Sequence, residues 1–223
     1  MKLWKVFKKG LKSNNGNIKW KIREWQKHDE ELVMCSSGFH ASKRIIDAMQ
    51  YTNAEQIALV EVKGKHIKQD DKQCWSEMRL LRVYDWTKQD SISLAIYVAE
   101  LVLTNFEDEY PNDKRPREAI EAAKKVLQNN NEKNKSTAAS AAASAWSAAA
   151  NATKSAWNAA ESAASAAESA ASTWGAAENA AWSAAVSAKS TAWSATKSAA
   201  WSAAYNKFFD KCEKFILKRI KIV

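Results

Sequence analysis

Most residues that could take part in chemistry lie in three short runs near the start of this sequence. Residues 35–42 contain a Gly-Phe-His-Ala tetrapeptide, residues 47–51 end in a tyrosine, and residues 75–83 open with Trp-Ser-Glu. Lysine and arginine residues accompany these runs, and such a positive field attracts phosphate groups. We therefore predict a binding site for a phosphate-bearing ligand, formed by Phe39, His40, Lys43, Arg44, Tyr51, Trp75, Glu77 and Arg79.

The sequence lacks the established catalytic motifs. It contains no phosphate-binding P-loop, no dinucleotide-binding glycine fingerprint, no zinc-protease motif and no nucleophile elbow. Its three histidines are spread over positions 28, 40 and 66, and its three cysteines, at positions 35, 74 and 212, are far apart from one another. Because metal sites and disulfide frameworks need closely spaced ligands, we predict no metal, no cofactor and reduced thiols in the cytoplasm.

The elements that must position these residues form a small mixed domain over residues 1–88. Residues 3–22 contain two alternating stretches around an Asn-Asn-Gly-Asn turn, which predicts a β-hairpin. Residues 45–51 have the apolar spacing of a helix. The apolar run at 57–62 is typical of a central strand, and residues 78–86 are also rich in strand-forming types. Together with the helical remainder of the chain, this predicts the α+β class.

Residues 89–128 predict a two-helix connector. Apolar residues recur there at steps of three and four, which is the spacing of a buried helix stripe: Ile92, Ala95, Val98, Ala99, Val102 and Phe106. A Pro-Asn-Asp break follows at 111–113. The second helix is expected to begin near Pro116, since proline is tolerated in the first turn of a helix.

Residues 129–204 form an alanine-rich repeat. Within residues 138–204, 32 of the 67 positions are alanine and the six charges cancel. Alanine has the highest helix propensity, so this segment is predicted to be helical. On a straight helix one narrow stripe would hold four indoles, those of Trp146, Trp157, Trp182 and Trp193.

This tryptophan stripe predicts self-association into a homo-oligomer, because a row of indoles left in water is an association surface. Two geometries remain open, a single rod and a helical hairpin, and Gly175 is the predicted bend. The alternative is a compositional expansion that serves only as a spacer.

Residues 205–223 predict a basic amphipathic helix. Such a helix can lie on an anionic membrane, bind an acidic partner or, most commonly, dock on the protein's own core. The formal net charge of the whole chain is +9. Its basic residues are dispersed among acidic ones, which disfavours binding to duplex nucleic acid. No signal peptide and no transmembrane segment is predicted.

Two segments resemble families found in phage genomes. The Gly38-Phe39-His40-Ala41 signature, with the strand that follows, resembles an uncharacterised bacteriophage domain. Residues 110–121, which include Arg-Pro-Arg-Glu-Ala-Ile-Glu, resemble a segment of phage and putative immunity proteins that often precedes Ala/Trp-rich repeats. These resemblances imply a phage origin and a location in the cytoplasm of an infected bacterial host.

The order of parts in the first domain also resembles that of ADP-ribosyltransferases. In that family an aromatic ring holds the nicotinamide, and a glutamate stabilises the reacting ribose. The resemblance implies that Tyr51 is this ring and Glu77 the catalytic carboxylate. The family's first-strand histidine or arginine has no clear counterpart near residues 6–8. The alternative is that Tyr51 packs against the sheet while Glu77 pairs with a lysine or arginine.

We therefore predict a non-enzymatic phage accessory protein that acts by binding. As a counter-defence factor it would sequester a nucleotide-type immune signal or block a host defence protein. One alternative is an ADP-ribosyltransferase-like enzyme that depends on Glu77. The other is a structural or virion-associated oligomer whose helical repeat is the functional part.

Overall fold

The computed structural model describes residues 1–13, 18–51, 54–150, 152–171 and 199–222. An antiparallel sheet is followed by a helical region, which confirms the α+β class. The chain divides into two compact units. The sheet unit comprises Met1–Thr87 and Ile216–Val223, and the helical unit comprises Lys88–Phe215.

Over its described residues, the sheet unit contains six strands and one short helix. They are β1 (Lys2–Phe7), β2 (Gln26–Lys27), β3 (Phe39–Ala41), α1 (Ile45–Met49), β4 (Gln56–Lys68), β5 (Gln73–Asp85) and β6 (Lys221–Ile222). The long strand β5 pairs with β4 along one edge and with β3, β2 and β6 along the other, and every pairing is antiparallel. The strands predicted at 57–62 and 78–86 are therefore confirmed, as parts of β4 and β5.

The pairings close four strands into a ring. β1 pairs with β4, β4 with β5 and β5 with β3. Trp4 of β1 and Ser42, which follows β3, then exchange two backbone hydrogen bonds of 2.8 Å. Side chains from all four strands form one hydrophobic cluster, which includes Phe7, Phe39 and Val60. Closure leaves few unpaired strand edges and holds β1 next to β3.

The predicted hairpin over residues 3–22 is wrong. β1 pairs with β4, and within residues 18–22 only Ile22 joins the sheet, through a single bridge to Leu80. Trp20 is buried although it does not pair in the sheet. Its indole packs edge-on against the rings of Phe7 and Phe39. Alternation of polarity correctly marked an inward-facing residue, but it does not specify the strand with which a segment pairs.

The helical unit is built around α2 (Lys88–Glu107), α3 (Arg115–Gln128), α4 (Glu132–Ala150), α5 (Lys154–Ala171) and most of α6 (Ala199–Arg219). The stripe predicted for the first helix is buried throughout, and a proline stands in the first turn of α3. α2, α3 and α4 all pack against α5. The two helices predicted as a connector thus belong to the same compact unit as the repeat.

α5 is the central helix of this unit. Alanine and serine side chains all around it are buried, at Ala156, Ala159, Ala160, Ser162, Ala163, Ala164, Ser165, Ala166, Ala167, Ser169 and Ala170. Small side chains allow neighbouring helices to approach closely, because interaxial distance depends on the side chains at the contact. The alanine content of the repeat therefore has a packing role beyond helix propensity.

The repeat is not a straight rod over its described residues. α4 ends at Ala150, α5 begins at Lys154, and the two helices pack along each other as a helical hairpin. The break lies between Trp146 and Trp157, so these indoles do not share a stripe on one helix. Gly175, Trp182 and Trp193 lie outside the described residues.

The tail helix docks on its own unit, the commonest of the three outcomes considered. Phe208 and Phe209 are buried, and the Phe215 ring stacks on Tyr97 of α2 with a centroid separation of 4.4 Å. Burial raises the pKa of the Cys212 thiol to about 12. Across the described ranges, no helix has the length and apolar character needed to cross a membrane.

Candidate functional site

A cavity of about 270 Å³ lies in the sheet unit. Residues of β1, β3 and α1 line it, together with the turn that precedes β3 and the residue that precedes β5. Four aromatic side chains contribute to its walls: Trp4, Trp20, Phe39 and Tyr51. The cavity is slightly smaller than the roughly 300–1,000 Å³ of sites for drug-sized ligands, so it suits a small ligand.

The ionisable groups that face the cavity favour an anion. Lys5 and Lys72 line it, and none of its described lining residues is an aspartate or glutamate. Low-dielectric walls focus the field of such charges and raise the local concentration of a counter-ion. An anion that carries a planar ring would meet both the cations and the aromatic walls.

Lys5 points toward the hydrophobic cluster. Side chains alternate along a strand, so Lys5 shares a face with Leu3 and Phe7, which are both buried. Its Nζ donates a hydrogen bond of 3.0 Å to the carbonyl of His40 and lies 5.3 Å from the centroid of the Phe7 ring. Loss of hydration lowers the pKa of Lys5 to about 8. A substantial fraction of this amine is therefore neutral in mildly alkaline solution.

His40 is held in its neutral form. Burial, followed by the charges of Lys5 and Lys72, lowers the pKa of His40 to about 4. Its Nε2 accepts a hydrogen bond of 2.9 Å from the backbone N–H of Cys35. The imidazole thus orders the turn before β3, and protonation of Nε2 would remove this bond.

Lys72 connects three parts of the cavity wall. Only 8% of the residue is exposed, and its Nζ lies 2.8 Å from the Cys35 Sγ and 4.0 Å from the centroid of the Tyr51 ring. The Tyr51 hydroxyl donates to an Asp71 carboxylate oxygen, to which Gln50 also donates at 2.6 Å. Burial and this carboxylate raise the pKa of Tyr51, so the phenol stays protonated.

The backbone before β3 requires a glycine. Gly38 has a φ of +109°, and a Cβ there would lie 2.5 Å from the Cys74 Sγ and 2.7 Å from Leu32 Cδ2. Cys35, in the same turn, also has a left-handed φ, of 67°. This turn delivers Phe39 and His40 to the cavity, so its conformation sets the shape of the site.

The structure brings three of the predicted ligand-binding residues together at the cavity: Phe39, His40 and Tyr51. Trp75 is buried opposite Phe39 in the sheet and stacks on His66, with centroids 4.3 Å apart. Lys43 is exposed, and Arg44 is the residue before α1. Neither of these two cations lines the cavity.

Glu77 and Arg79 form ion pairs across β4 and β5. Glu77 lies 3.3 Å from the Nζ of Lys63, and Arg79 lies 2.6 Å from Glu61. Lys63 and Arg79 also lie over the Trp25 ring, at 4.3 and 4.8 Å from its centroid. Neither Glu77 nor Arg79 lines the cavity. The alternative in which Glu77 pairs with a basic residue matches this geometry.

Sequence reasoning missed Lys5, Lys72 and Cys35. A signal for Lys5 was available, since side chains alternate along a strand and Lys5 shares a face with the apolar Leu3 and Phe7. The contact between Lys72 and Cys35 joins residues 37 positions apart, and no local pattern predicts it. Within the described part of the chain, no group of three or more histidine, cysteine, aspartate or glutamate residues could hold a metal ion.

The two described tryptophans of the predicted association surface are partly exposed. Trp146 of α4 is 38% exposed, and Trp157 of α5 is 37% exposed. Each therefore leaves apolar surface in contact with water.

Each of the two units matches a known family. Residues 85–214, more than half of the chain, match the family described as Imm-5 like putative immunity protein. The chain belongs to this family. Residues 1–91 match the family described as a domain of unknown function, DUF7666. No curated protein and no protein of solved structure matches the chain.

The Imm-5 like match covers nearly all of the helical unit, whereas the cavity lies in the segment that matches DUF7666. The DUF7666 match includes residues 38–41, and the Imm-5 like match includes residues 110–121. These are the two segments that resemble known families in the sequence. The expected phage origin stays a prediction.

Proposed function

We propose that this Imm-5 like protein acts by binding and that its sheet unit sequesters a small anionic, nucleotide-type molecule. The observation that carries the proposal is the cavity, whose described lining contains two lysines and four aromatic side chains and no aspartate or glutamate. Charge-assisted hydrogen bonds to phosphate are among the strongest that side chains make, and aromatic walls favour a flat ring.

The size of the cavity narrows the ligand class. A volume of about 270 Å³ favours a mononucleotide-sized molecule over a cyclic oligonucleotide. Lys72, held by Cys35 and Tyr51, is the residue we assign to the anionic group, since its ammonium is already positioned. Trp20 and Phe39, in edge-on contact, are the residues assigned to the ring.

The family description supports a protective role. Sequestration removes a harmful molecule or signal without a chemical step, which suits a chain whose family is described as Imm-5 like putative immunity protein. In a phage the same activity would act as counter-defence, by withdrawing a nucleotide-type signal from the host. A host defence protein remains the alternative target in this proposal.

The position of Glu77 supports binding over ADP-ribosyl transfer. Its carboxylate pairs with Lys63 and does not line the cavity that Tyr51 borders. An electrostatic partner for a reacting ribose must face the substrate. Incubation with labelled NAD and bacterial lysate separates the two functions, because transfer that is lost in Glu77→Gln would establish the enzyme.

A thermal-shift panel tests the binding function. Adenosine 5′-monophosphate, ADP-ribose and a cyclic dinucleotide are each added to the full chain, to Lys72→Met and to the exposed-site control Lys65→Met. We expect the monophosphate to raise the melting temperature of the native chain and of the control, with a smaller effect in Lys72→Met. No shift with any of the three compounds would leave only the version that targets a protein.

The exposure of Trp146 and Trp157 favours a second function, carried by the helical unit. We propose that these indoles form a protein contact surface that supports self-association. Removal of both rings should lower the oligomeric state without loss of helicity.

A further inference from the structure

We propose that Lys5 is an imine-forming lysine, which captures the aldehyde or ketone group of a small anionic ligand in the cavity of the sheet unit. This inference rests on the proposed function, because the bound anion brings the carbonyl group to the amine. It narrows the ligand class to anionic carbonyl compounds and converts reversible binding into covalent capture.

The geometry at Lys5 supports this role. Its side chain lines the cavity, and its Nζ has one described hydrogen-bond partner, the carbonyl of His40 at 3.0 Å. A carbonyl oxygen accepts a hydrogen bond but carries no charge that would neutralise an ammonium. Among the described residues, no carboxylate lies within ion-pairing distance of Lys5.

Apolar surroundings further favour the reactive amine. The Nζ lies 5.3 Å from the centroid of the Phe7 ring, and Leu3 on the same strand face is buried. Desolvation lowers the pKa of Lys5 to about 8, so the nucleophilic free amine is available at ordinary pH. A desolvated lysine of this kind is a recognised nucleophile toward carbonyl groups.

The two lysines of the cavity have different roles in this proposal. Lys72 remains close to a thiol and a phenol ring and supplies the cation for the acidic group of the ligand. Lys5 supplies the nucleophile. Its nitrogen lone pair attacks the carbonyl carbon, a C–N bond forms, and the two protons of the amine leave with the carbonyl oxygen as water. The product is an imine, and no oxidant or reductant is consumed.

Pyridoxal 5′-phosphate is a suitable probe, because it combines a phosphate, a planar ring and an aldehyde. Pyridoxine 5′-phosphate, which has an alcohol in place of the aldehyde, reports binding without capture. Each compound is titrated into the full chain, and the pyridoxal sample is then reduced with borohydride and mapped by peptide mass spectrometry. At pH 7.5 we expect about ten- to a hundred-fold more adduct at Lys5 than at the exposed Lys65, given the larger free-amine fraction at a pKa of about 8.

Competition gives a test that needs no variant. Excess pyridoxine 5′-phosphate should suppress the adduct at Lys5 and leave the adduct at Lys65 unchanged. Lys5→Arg should lose the part of the total adduct that pyridoxine 5′-phosphate suppresses and keep the adducts at exposed lysines such as Lys65, and Lys5→Met serves if the arginine variant does not fold. Binding of pyridoxine 5′-phosphate with adduct spread evenly over exposed lysines would overturn the imine and leave anion binding intact. Failure of both compounds to bind, with no adduct at Lys5, would overturn both proposals.

Discussion

The Nζ of Lys72 lies 2.8 Å from the Sγ of Cys35, which joins the start of β5 to the turn before β3. The same ammonium lies over the Tyr51 ring at 4.0 Å. One buried lysine therefore holds the wall of the cavity and presents a positive charge to it.

Cys35 should be the first thiol to react in the native protein. It is exposed, whereas Cys74 and Cys212 are buried, and burial raises the pKa of both of these thiols. Because alkylation needs an accessible thiolate, we expect iodoacetamide to label one site per chain rapidly. Mass spectrometry over time measures this, and Cys35→Ser should remove the fast phase. Equal rates at Cys74 or Cys212 would contradict the described burial.

Alanine at Gly38 should destabilise the sheet unit by about 2–4 kcal/mol, because the new methyl group meets Cys74 and Leu32 at a left-handed backbone position. Gly10→Ala is the matched control. Its φ is +74°, but nothing lies within 4 Å of the added Cβ, so the expected cost is about 1 kcal/mol of backbone strain. Urea unfolding of both variants measures the difference, and equal costs would show that packing at Gly38 is unimportant.

His40 should make the protein less stable in mild acid. The pKa of His40 is lowered to about 4 in the folded chain, against about 6.5 for an unperturbed histidine, so the unfolded state binds more protons between these values. The free energy of unfolding should fall as pH drops from 6.5 toward 4. Relative to His40→Gln, the native chain should lose about 1–3 kcal/mol over this interval. Parallel curves for the two proteins would rule out this role.

The cations that lower the pKa of His40 are Lys5 and Lys72, and its Nε2 faces the Cys35 N–H. Lys72→Met should therefore raise the pKa of His40 toward its unfolded value and reduce the loss in the free energy of unfolding between pH 6.5 and pH 4. Replacing Lys65, which is exposed, should leave this loss unchanged. Urea unfolding at a series of pH values in both variants measures the loss.

The exposed indoles of the helical unit should control association. Trp146→Ser combined with Trp157→Ser removes apolar surface without touching the buried alanines of α5. Sedimentation velocity is expected to show a larger species for the native chain than for the double variant, with unchanged far-ultraviolet circular dichroism. A native chain that is monomeric at every concentration would refute the association surface.

The sequence predicted the elements whose periodicity is unambiguous. The buried stripe of α2 and the proline at the start of α3 were readable because helix packing repeats every three or four residues. The pairing of β1 with β4 could not be predicted from the sequence, since alternation of polarity indicates a buried face but does not identify the partner strand. The break between α4 and α5 was also unforeseen, because alanine content favours helix on both sides of it.

The candidate site was readable only in part. Phe39, His40 and Tyr51 were identified from two short runs, residues 35–42 and 47–51, and all three line the cavity. Lys72 and Cys35 come together through the pairing of β3 with β5, a non-local contact that composition and spacing do not encode. Glu77 was selected by family resemblance, and its pairing with Lys63 depends on the register of β4 against β5.

Isothermal titration of adenosine 5′-monophosphate tests the central claim most directly, with the native chain, Lys65→Met and Lys72→Met compared in the same buffer. Loss of one charge-assisted hydrogen bond is worth about 1.5–3 kcal/mol, so Lys72→Met should bind about ten- to a hundred-fold more weakly than the other two. Equal affinity in all three proteins, or no heat of binding in the native chain, would contradict an anion site in the sheet unit.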